Sequence, residues 1–410
     1  MAKRVVVTGL NMITPLGLDL ESSWDGLVAG KSGIRRITLF EASEYETQIA
    51  GQVPDDFDDY AKTYCKGRRA RQMARATRIC YVCAKEAIAR SGIDFDGFDR
   101  ARCAVILGAV DTGHSVIYSD KYWILKTMPH AMSAWISLDY KLEGPNYTIS
   151  SACTSAACAI AHGYDLIKAD KADVVITGGG SSIVNPEHVK GFNELQALSV
   201  QNSIPESASR PFSLGRDGFV MGEGAGVLIL ESEESARARG SIIYGEMAGY
   251  ALTSETYNIM APAKDGTGMA KTMRLALASA GVKKEEIQHI NAHGTSTPYN
   301  DRYETTAIKE VFGELAYSIP VSSSKSMIGH TAAACGAIEG IITILTMENS
   351  ILTPTINYEP DSDLDLDYVP NQAREKEVNL ALSNSFGFGG CNATLVFKKH
   401  KKKPPRQGSS

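Results

Sequence analysis

The sequence lacks the features that would place the chain in a membrane or in a disulfide-stabilised secreted scaffold. No stretch approaches the roughly 18–20 consecutive apolar residues that a membrane-spanning helix needs. The eight cysteines are scattered over 410 residues, a pattern typical of a reducing compartment. The N-terminus enters a Val-rich segment at once and has no signal-peptide pattern. We therefore expect a cytoplasmic protein.

The sequence also lacks a strong excess of charge of either sign and any short internal repeat. It has 42 basic and 47 acidic residues, a net charge of −5, which argues against a general nucleic-acid binder. The exception is Lys398–Arg406, which carries six Lys or Arg and no acid. With the Pro, Gly and Ser that surround it, this segment predicts a basic disordered tail over residues 398–410.

Short apolar segments alternate with longer segments that are apolar at helical spacing. Ala74–Arg90 and Ala270–Ala280 have the period of a helix. The predicted buried strands are Arg4–Thr8, Ala104–Leu107, Val174–Thr177, Val227–Leu230 and Leu395–Phe397. Strands that alternate with helices predict a layered α/β fold. The length leaves room for two diverged halves that join near residues 240–255.

Cys153 is the first candidate for chemistry. A strand-like lead, Tyr147–Ile149, is followed by small residues and an Ala-rich run in SSACTSAACAI. Alanine favours helix, so Cys153 is predicted at a helix N-terminus, where the helix dipole stabilises a thiolate and lowers the thiol pKa. A lone cysteine in an Ala-rich segment is more often a buried structural residue, so the interpretation depends on the motifs that follow.

Two histidines and a lysine stand at junctions of the same kind. His293 follows the apolar lead of INAHGTSTP, and Lys325 and His330 lie between a strand-like lead and an Ala-rich run in VSSSKSMIGHTAAACG. Strand ends of a layered α/β fold converge on one site, and a thiol beside a histidine is the general arrangement of an acylated nucleophile. A lone loop histidine is usually structural, but three such junctions favour an active site.

The segment LSNSFGFGGCN, residues 382–392, is the fourth element. Its glycines permit unusual backbone angles and a close approach to a ligand, and its amides could help to form an oxyanion hole. A tight turn would explain the same letters equally well.

Taken in order, ACTSA, NAHGTST, SSSKSMIGH and NSFGFGG resemble the motifs of the β-ketoacyl-acyl-carrier-protein synthases. The resemblance is to the elongating type II branch and to the ketosynthase subunits of type II polyketide systems, and it extends from Arg4 to Phe397. It implies a thiolase-like fold of two similar α-β-α-β-α layered halves. The N-terminal half, residues 1–250, would carry the nucleophile, and the C-terminal half, residues 251–397, the histidines and the lysine.

The resemblance also implies roles for single residues. Cys153 is similar to the nucleophile that accepts the acyl chain, and His293 and His330 are similar to the pair that assists decarboxylation and stabilises the enolate. Lys325 resembles the lysine that tunes the local field. The amides of Cys153 and Phe388 resemble the oxyanion hole, and Phe388 also resembles the gating aromatic. The acidic positions expected to orient Lys325 and the nearby loops are Asp301, Glu304 and Glu339.

These roles imply a decarboxylative Claisen condensation in fatty-acid or polyketide chain elongation, with no metal and no redox cofactor. The implied partner is an acyl carrier protein whose phosphopantetheine carries acyl and malonyl groups. A degradative thiolase and an initiating synthase with a Cys-His-Asn site are alternatives, and His330 argues against both. A non-catalytic subunit of the chain-length-factor kind is a further alternative, and the presence of Cys153 in an intact motif argues against it.

A run of basic residues extends from Lys62 to Arg78 without an acid. It is either a solvated helix face or a docking patch for the acidic carrier protein. Gln201 stands where family members often have a basic residue, which weakens the docking interpretation. The candidate docking residues are Lys62, Lys66, Arg68, Arg69, Arg71 and Arg75.

The segment from Gly108 to Cys153 is shorter than the family pattern. Since this region shapes the acyl pocket and the dimer contact in the family, two assemblies stay open. One is a heterodimer with a chain-length-factor-like paralogue, and the other is a homodimer whose pocket is closed by Trp123 and Trp135. Cys391 stands where many relatives have Thr, and we assign it no role.

Three patterns resemble metal sites superficially. Cys80 and Cys83 have no second pair at zinc spacing and are predicted to pack in a core. Pro and Gly near His289 and His293 make a helical metal pair implausible. Asp361–Asp367 lacks the Gly and the final Glu of a calcium loop.

Overall fold

The computed structural model describes residues 3–110 and 119–400, and within these ranges the chain forms 14 strands and 13 α-helices. The strands are β1 Val5–Ile13, β2 Ile34–Arg36, β3 Ile49–Gly51, β4 Cys103–Gly108, β5 Asn146–Ile149, β6 Val174–Ser182, β7 Glu223–Ser232, β8 Gly245–Ser254, β9 His289–Asn291, β10 Val321–Ser322, β11 Ile351–Leu352, β12 Arg374–Glu375, β13 Leu380–Gly387 and β14 Cys391–Lys398. The helices are α1 Leu20–Val28, α2 Phe57–Ala61, α3 Gly67–Arg71, α4 Arg75–Ser91, α5 Trp123–Thr127, α6 Ala131–Tyr140, α7 Ser155–Lys168, α8 Pro186–Glu194, α9 Glu233–Ala238, α10 Thr267–Ala280, α11 Pro298–Phe312, α12 Lys325–Ile328 and α13 Cys335–Asn349. Most of the predicted basic tail, residues 401–410, lies outside the described residues.

The strands and helices predicted from periodicity are confirmed, with wider bounds. The helix predicted over Ala74–Arg90 is α4, and the one predicted over Ala270–Ala280 begins one turn earlier as α10. Four of the five predicted strands lie inside longer ones, because strand backbone continues through Gly and polar positions that an apolar run does not include. β1 begins at Val5, one residue after the predicted start at Arg4, and extends to Ile13.

Ten of the described strands form one mixed sheet in which a single strand order occurs twice. The first set runs β1-β7-β6-β4-β5 and the second runs β8-β14-β13-β9-β10. In each set the first two pairings are antiparallel and the last two are parallel. The sets join through a short antiparallel ladder between β1 and β8. The repeat starts at Gly245, so the division predicted at residue 250 falls inside β8.

The inner strands β4 and β13 are buried on both faces. Ile106 and Leu107 are neighbours in β4, yet the first belongs to a central apolar core and the second to an outer core that contains α4. In the second set, Ala381 lies in the central core and Leu382 in another outer core, with α10 and α11. Such alternation is the period-2 pattern of a strand between two layers.

Within the described residues, the layers therefore follow the order helix, sheet, helix, sheet, helix, and the two sets of strands form the two sheet layers. α4 packs on the outer face of the first set of strands, and α10 on the outer face of the second set. α7 and α13 pack against each other in the central layer and contact strands of both sets. The predicted α/β class is confirmed, and each half contributes one helix to a central layer that both halves share.

The functional motifs all follow strands from the parallel part of the two sets. Cys153 comes after β5, His293 after β9, Lys325 after β10 and Phe388 after β13. The carboxyl ends of such strands are where α/β folds gather functional side chains. The first half supplies the thiol, and the second supplies the other three groups.

Candidate active site

Cys153 lies at a tight turn between β5 and α7. Ala152 has a positive φ of 50°, a left-handed conformation that costs a non-glycine residue of order 1 kcal/mol. Hydrogen bonds hold the turn: Thr154 donates its amide to the Ser151 carbonyl, and Ser155 donates its amide to the Ala152 carbonyl, each at 3.2 Å. The turn places Cys153 just before α7, as predicted, and on the wall of a cavity.

The Cys153 thiol is protonated in the resting protein. Burial raises its pKa to about 11, while the Lys325 charge and the backbone amides of Phe388 and Cys153 act in the opposite direction. The predicted lowering of the thiol pKa is therefore wrong for the unacylated protein, because desolvation exceeds the stabilisation that the surrounding donors supply. The thiol proton has to leave as part of the acyl-transfer step.

His330 presents a hydrogen-bond donor to the Cys153 sulfur. Its Nε2 lies 3.0 Å from Cys153 Sγ, and its Nδ1 accepts a hydrogen bond of 3.1 Å from the Ala332 amide. Since Nδ1 is an acceptor, the hydrogen of the neutral ring is on Nε2. Burial, together with the Lys325 charge, holds the pKa of His330 well below its usual value, so the ring is a neutral donor.

His293 has the same arrangement through a different partner. The Lys325 ammonium lies 3.4 Å from His293 Nδ1 and donates to the His293 carbonyl at 2.7 Å. An ammonium has no acceptor, so His293 also carries its hydrogen on Nε2. Burial, Lys325 and His330 lower the pKa of His293 well below its usual value. The rings of His293 and His330 meet edge to face with centroids 5.3 Å apart.

Lys325 keeps its charge inside the protein because Glu339 lies against it. Both side chains are about 1% exposed and form an ion pair. Burial acts to lower the pKa of Lys325, but the Glu339 charge outweighs it and the pKa is raised. A buried ammonium beside two neutral imidazoles disfavours their protonation. The Lys325 charge therefore favours neutral rings at His293 and His330.

The other two predicted acids hold the loop after β9 and do not contact Lys325. The Glu304 carboxylate accepts hydrogen bonds from the His293 and Gly294 amides, both at 2.8 Å. Asp301 accepts from the Thr295 amide at 2.9 Å. Of the three acids, Glu339 orients the lysine, and Asp301 and Glu304 orient the histidine loop from the first turns of α11.

Two backbone amides converge on the Cys153 sulfur, its own and that of Phe388. The end of β13 reaches the cysteine turn because Gly387 has no side chain: a Cβ there would lie 3.2 Å from the Cys153 nitrogen. Gly389 and Gly390 then turn with φ of 79° and 73°. Phe388 is 37% exposed and lines the cavity, a position that suits a gating ring.

The same groups also lie at metal-ligand spacing. The ligand atoms of Cys153, His293 and His330 all lie within 4.8 Å of one another. However, a metal needs a nitrogen lone pair, and the Nδ1 atoms that have one already accept hydrogen bonds from Ala332 and Lys325. Two N–H donors beside a buried ammonium suit an oxyanion better than a cation.

The cavity at this site has a volume of about 560 Å³. Cys153, His293, His330 and Phe388 form its reactive centre. Its lining includes polar side chains, namely Asp217, Asn258, Thr295, Thr297 and Asn300. Its apolar side is formed by side chains that belong to one apolar cluster or pack against it, namely Val110, Ile183, Phe192, Ala197 and Phe219. The cavity therefore offers both polar groups and an apolar surface beside the sulfur.

Comparison with known proteins gives a consistent result. Residues 2–236 match the β-ketoacyl synthase N-terminal domain and residues 244–359 match the C-terminal domain. The 3-oxoacyl-acyl-carrier-protein synthase 2 of Synechocystis sp. is 42% identical over 413 residues, which cover 97% of this chain and 99% of that protein. The protein of the same name from Staphylococcus aureus strain N315 is 38% identical over 412 residues, with 97% and 98% covered.

The chain belongs to the β-ketoacyl synthase family.

Solved ketosynthases have the same fold. The ishigamide ketosynthase/chain length factor superposes with a TM-score of 0.90 at 32% identity, covering 98% of this chain and 100% of that one. A type II polyketide ketosynthase in complex with its acyl-carrier protein, bound to the hexaketide, gives a TM-score of 0.87 at 32% identity with the same coverage. The predicted family, the thiolase-like fold and the class of condensing acyltransferase are confirmed.

The basic segment before α4 is only partly available to a partner. Arg69 donates to Asp139 at 2.7 Å and lies over the Trp135 ring. Arg75 forms a two-pronged pair with the fully buried carboxylate of Glu223. These two residues stabilise the fold, and we remove them from the docking set. The predicted docking residues that remain exposed are Lys62, Lys66, Arg68 and Arg71.

Three residues singled out in the sequence lie away from the described cavity wall. Trp135 packs at the outer core around α4, and Trp123 begins α5. Neither lines the cavity in the described part of the chain, so they do not close it in the way that the homodimer alternative assumed. Cys391 begins β14 opposite Ser254 and likewise lies outside the set of lining residues.

Sequence reasoning missed two groups at the centre. Cys335 lies at the start of α13, and its thiol donates to the Cys153 carbonyl at 3.1 Å. The Ala332 amide fixes the tautomer of His330. Both residues belong to the quoted motif VSSSKSMIGHTAAACG. An alanine and a cysteine in an Ala-rich run carry no signal of such contacts.

Proposed function

We propose that this protein is an elongating ketosynthase that condenses a Cys153-bound acyl chain with a malonyl group carried by an acyl carrier protein. The observation that carries the proposal is the donor arrangement around one sulfur. The neutral ring of His330 directs Nε2–H at Cys153 Sγ from 3.0 Å, and His293 is held in the same tautomer by Lys325. A thiol nucleophile and two neutral donors are the groups that acyl transfer and enolate stabilisation require.

In the first half-reaction the Cys153 sulfur attacks the carbonyl carbon of the acyl thioester. The new S–C bond forms as the carbonyl becomes an oxyanion, which the amides of Cys153 and Phe388 stabilise. Collapse of the intermediate breaks the bond to the pantetheine sulfur. The proton from Cys153 ends on that departing sulfur, so the carrier leaves as a free thiol.

In the second half-reaction a malonyl thioester enters beside the acylated cysteine. Loss of CO₂ leaves its electron pair as an enolate, whose negative oxygen accepts hydrogen bonds from Nε2–H of His293 and His330. The enolate carbon attacks the acyl carbonyl, a C–C bond forms and the S–C bond to Cys153 breaks. The β-ketoacyl product stays on the carrier, and the Cys153 thiolate takes a proton from solvent.

The partners follow from this chemistry. The polar side chains that line the cavity suit a pantetheine arm. The exposed side chains of Lys62, Lys66, Arg68 and Arg71 suit the acidic surface of a carrier protein. We infer that the enzyme works as a dimer and in the cytoplasm, where its eight cysteines stay free.

Intact-mass measurement after incubation with an acyl-carrier thioester tests the proposal. The protein should gain the mass of the acyl group, and Cys153→Ala should fold normally but gain nothing and form no condensation product. Cys158→Ala is the matched control, because Cys158 lies one turn further along α7 and takes no part in the proposed steps. Normal turnover by folded Cys153→Ala, or an unloadable parent protein, would refute the proposal.

A further inference from the structure

Four rings follow one another along the apolar side of the cavity. The Phe219 centroid lies 5.4 Å from that of His330, and the Phe192 centroid lies 5.3 Å from that of Phe219. His188 follows, with its centroid 6.1 Å from that of Phe192. All four rings line the cavity. Because His330 touches Cys153, the row leads away from the nucleophile and ends at His188.

The His188 ring is held in place by the start of its own helix. Asn185 caps α8, and its Oδ1 accepts the His188 amide at 2.9 Å. That bond identifies the capping atom as the amide oxygen. His188 Nδ1 lies 2.9 Å from the same oxygen and donates to it. Asn185 is only 4% exposed, so neither partner is released easily to solvent.

His188 also differs in chemistry from the side chains near it on this wall. Val110, Ile183 and Phe192 offer apolar surface that an alkyl chain can cover. His188 ends this surface with a ring whose edge carries nitrogen. A chain that grows along the wall meets this fixed ring, and a further extension would force the chain, the ring or the backbone of α8 to move.

We propose that His188 is a specificity-determining residue that sets the longest acyl chain the enzyme accepts for another condensation. This inference rests on the proposed function and concerns the substrate of the same site. The limit then lies in this subunit, on the first turn of α8, and does not require a second protein to set it.

A series of saturated acyl-carrier thioesters of increasing length tests the inference. For each chain, kcat/KM for condensation with the malonyl carrier is measured, and the longest accepted chain is recorded. His188→Ala should accept chains at least one elongation step longer than the parent does, with a gain of at least about tenfold for the first chain that the parent rejects. His188→Trp should lower the limit, so the two variants shift in opposite directions.

Two further variants test whether the fixed His188 ring, and not a general disturbance of α8, sets the chain-length limit. Lys190→Ala changes an exposed residue of α8 that lies outside the set of lining residues, so the limit should stay where it is. Asn185→Ser keeps a capping hydroxyl, but the shorter side chain cannot reach the His188 ring. Because the ring is then held less firmly, kcat/KM should fall less steeply with chain length beyond the limit.

An unchanged limit in both His188 variants overturns the inference, and so does an equal shift in Lys190→Ala. These outcomes differ from failure of the proposed function, in which the parent protein would load or condense none of the chains.

Discussion

His293 and His330 share one cavity, and both should matter only in the second half-reaction, the condensation. In the proposed mechanism, their N–H groups face the site where negative charge develops after decarboxylation, whereas backbone amides serve the acyl-transfer oxyanion. His293→Ala and His330→Ala should therefore still acquire an acyl group on Cys153, while condensation falls by about 10²–10³. Intact mass reports the loading, and the rate of β-ketoacyl-carrier formation reports the condensation.

The control for these variants is another histidine of the same chain. His162 is exposed on α7, and its ring packs edge-on against Tyr147. His162→Ala should load and condense at the parent rates. A His293 or His330 variant that condenses as fast as this control would mean that the ring has only a structural part.

His289 links the free energy of unfolding to pH without taking part in catalysis. Burial lowers its pKa to about 3, helped by the charges of Lys376 and Arg374. The unfolded chain binds the proton near pH 6.5, so stability is present above about pH 6.5 and is lost as pH falls below it. At about pH 5 the loss amounts to about 2 kcal/mol.

The test compares the parent with His289→Asn, which cannot titrate. Chemical unfolding near neutral pH should show the variant to be less stable, since the bond from His289 to Ser322 is lost. The difference between the two proteins should shrink by about 2 kcal/mol at about pH 5. A difference that stays constant with pH would contradict the assignment.

At the scale of single residues, the sequence predicts which residues form the site better than it predicts what surrounds each of them. Cys153, His293 and Lys325 each follow a strand within a few residues, and His330 follows α12 in the same segment as Lys325, so the types and order of these residues were enough to group them. The pKa of Cys153 was predicted in the wrong direction, because the desolvation that raises it comes from packing that the letters around Cys153 do not show. Likewise, the sequence could not show that Arg75 pairs with the buried carboxylate of Glu223, a partner far along the chain.

At the scale of elements, the contact between β4 and α7 positions the nucleophile. A Cβ at Gly108 would lie 2.3 Å from the Ala156 nitrogen and 2.4 Å from the Ser155 carbonyl carbon, both in backbone that cannot yield cheaply. Gly108→Ala should push the first turn of α7 away, cost about 1–3 kcal/mol of stability and slow acyl loading of Cys153.

Gly97→Ala is the matched control, since a Cβ there meets nothing within 4 Å. Melting temperature and loading rate are measured for both variants. A Gly108→Ala protein that loads as fast as Gly97→Ala would show that the helix start tolerates displacement.

Periodicity predicted the existence of α4, α10 and the central strands, because each has a continuous apolar face. It could not predict the turn at Ala152, since nothing in the letters of ACTSA marks a left-handed alanine. That conformation is kept by hydrogen bonds from Thr154 and Ser155, and these form only once α7 is in place.

At the scale of the whole molecule, the first set of strands ends in an edge strand with which a second chain could pair. β5 is the last strand of the order, and Tyr147 on it is 36% exposed. Leu138, on the α6 helix that packs against β5, is 68% exposed. An edge strand beside exposed apolar side chains favours pairing with another chain.

We expect sedimentation of the protein alone to show a stable dimer that elongates chains, and Tyr147→Glu to shift it toward monomer. Ile242→Glu, at a residue 62% exposed elsewhere, should leave the dimer intact. A chain that stays monomeric and inactive until a paralogue is co-expressed would favour the heterodimer.

The family resemblance implied two similar halves, but periodicity and a search for repeats could not show the twofold strand order, for a physical reason. β1 reads VVVTGLNMI and is buried throughout, whereas its counterpart β8 reads GEMAGYALTS and alternates between buried and partly exposed positions. A strand between two layers accepts many combinations of small and apolar residues, so the shared topology survived while the letters diverged.

The central layer has a consequence for how this protein can change. α7 comes from one half and α13 from the other, and each covers strands of both sets. Neither half can complete its interior when it is separated from its counterpart. A gene that arose by joining two similar pieces would thus have become indivisible, and later insertions would be tolerated at the rim while the join itself stayed fixed.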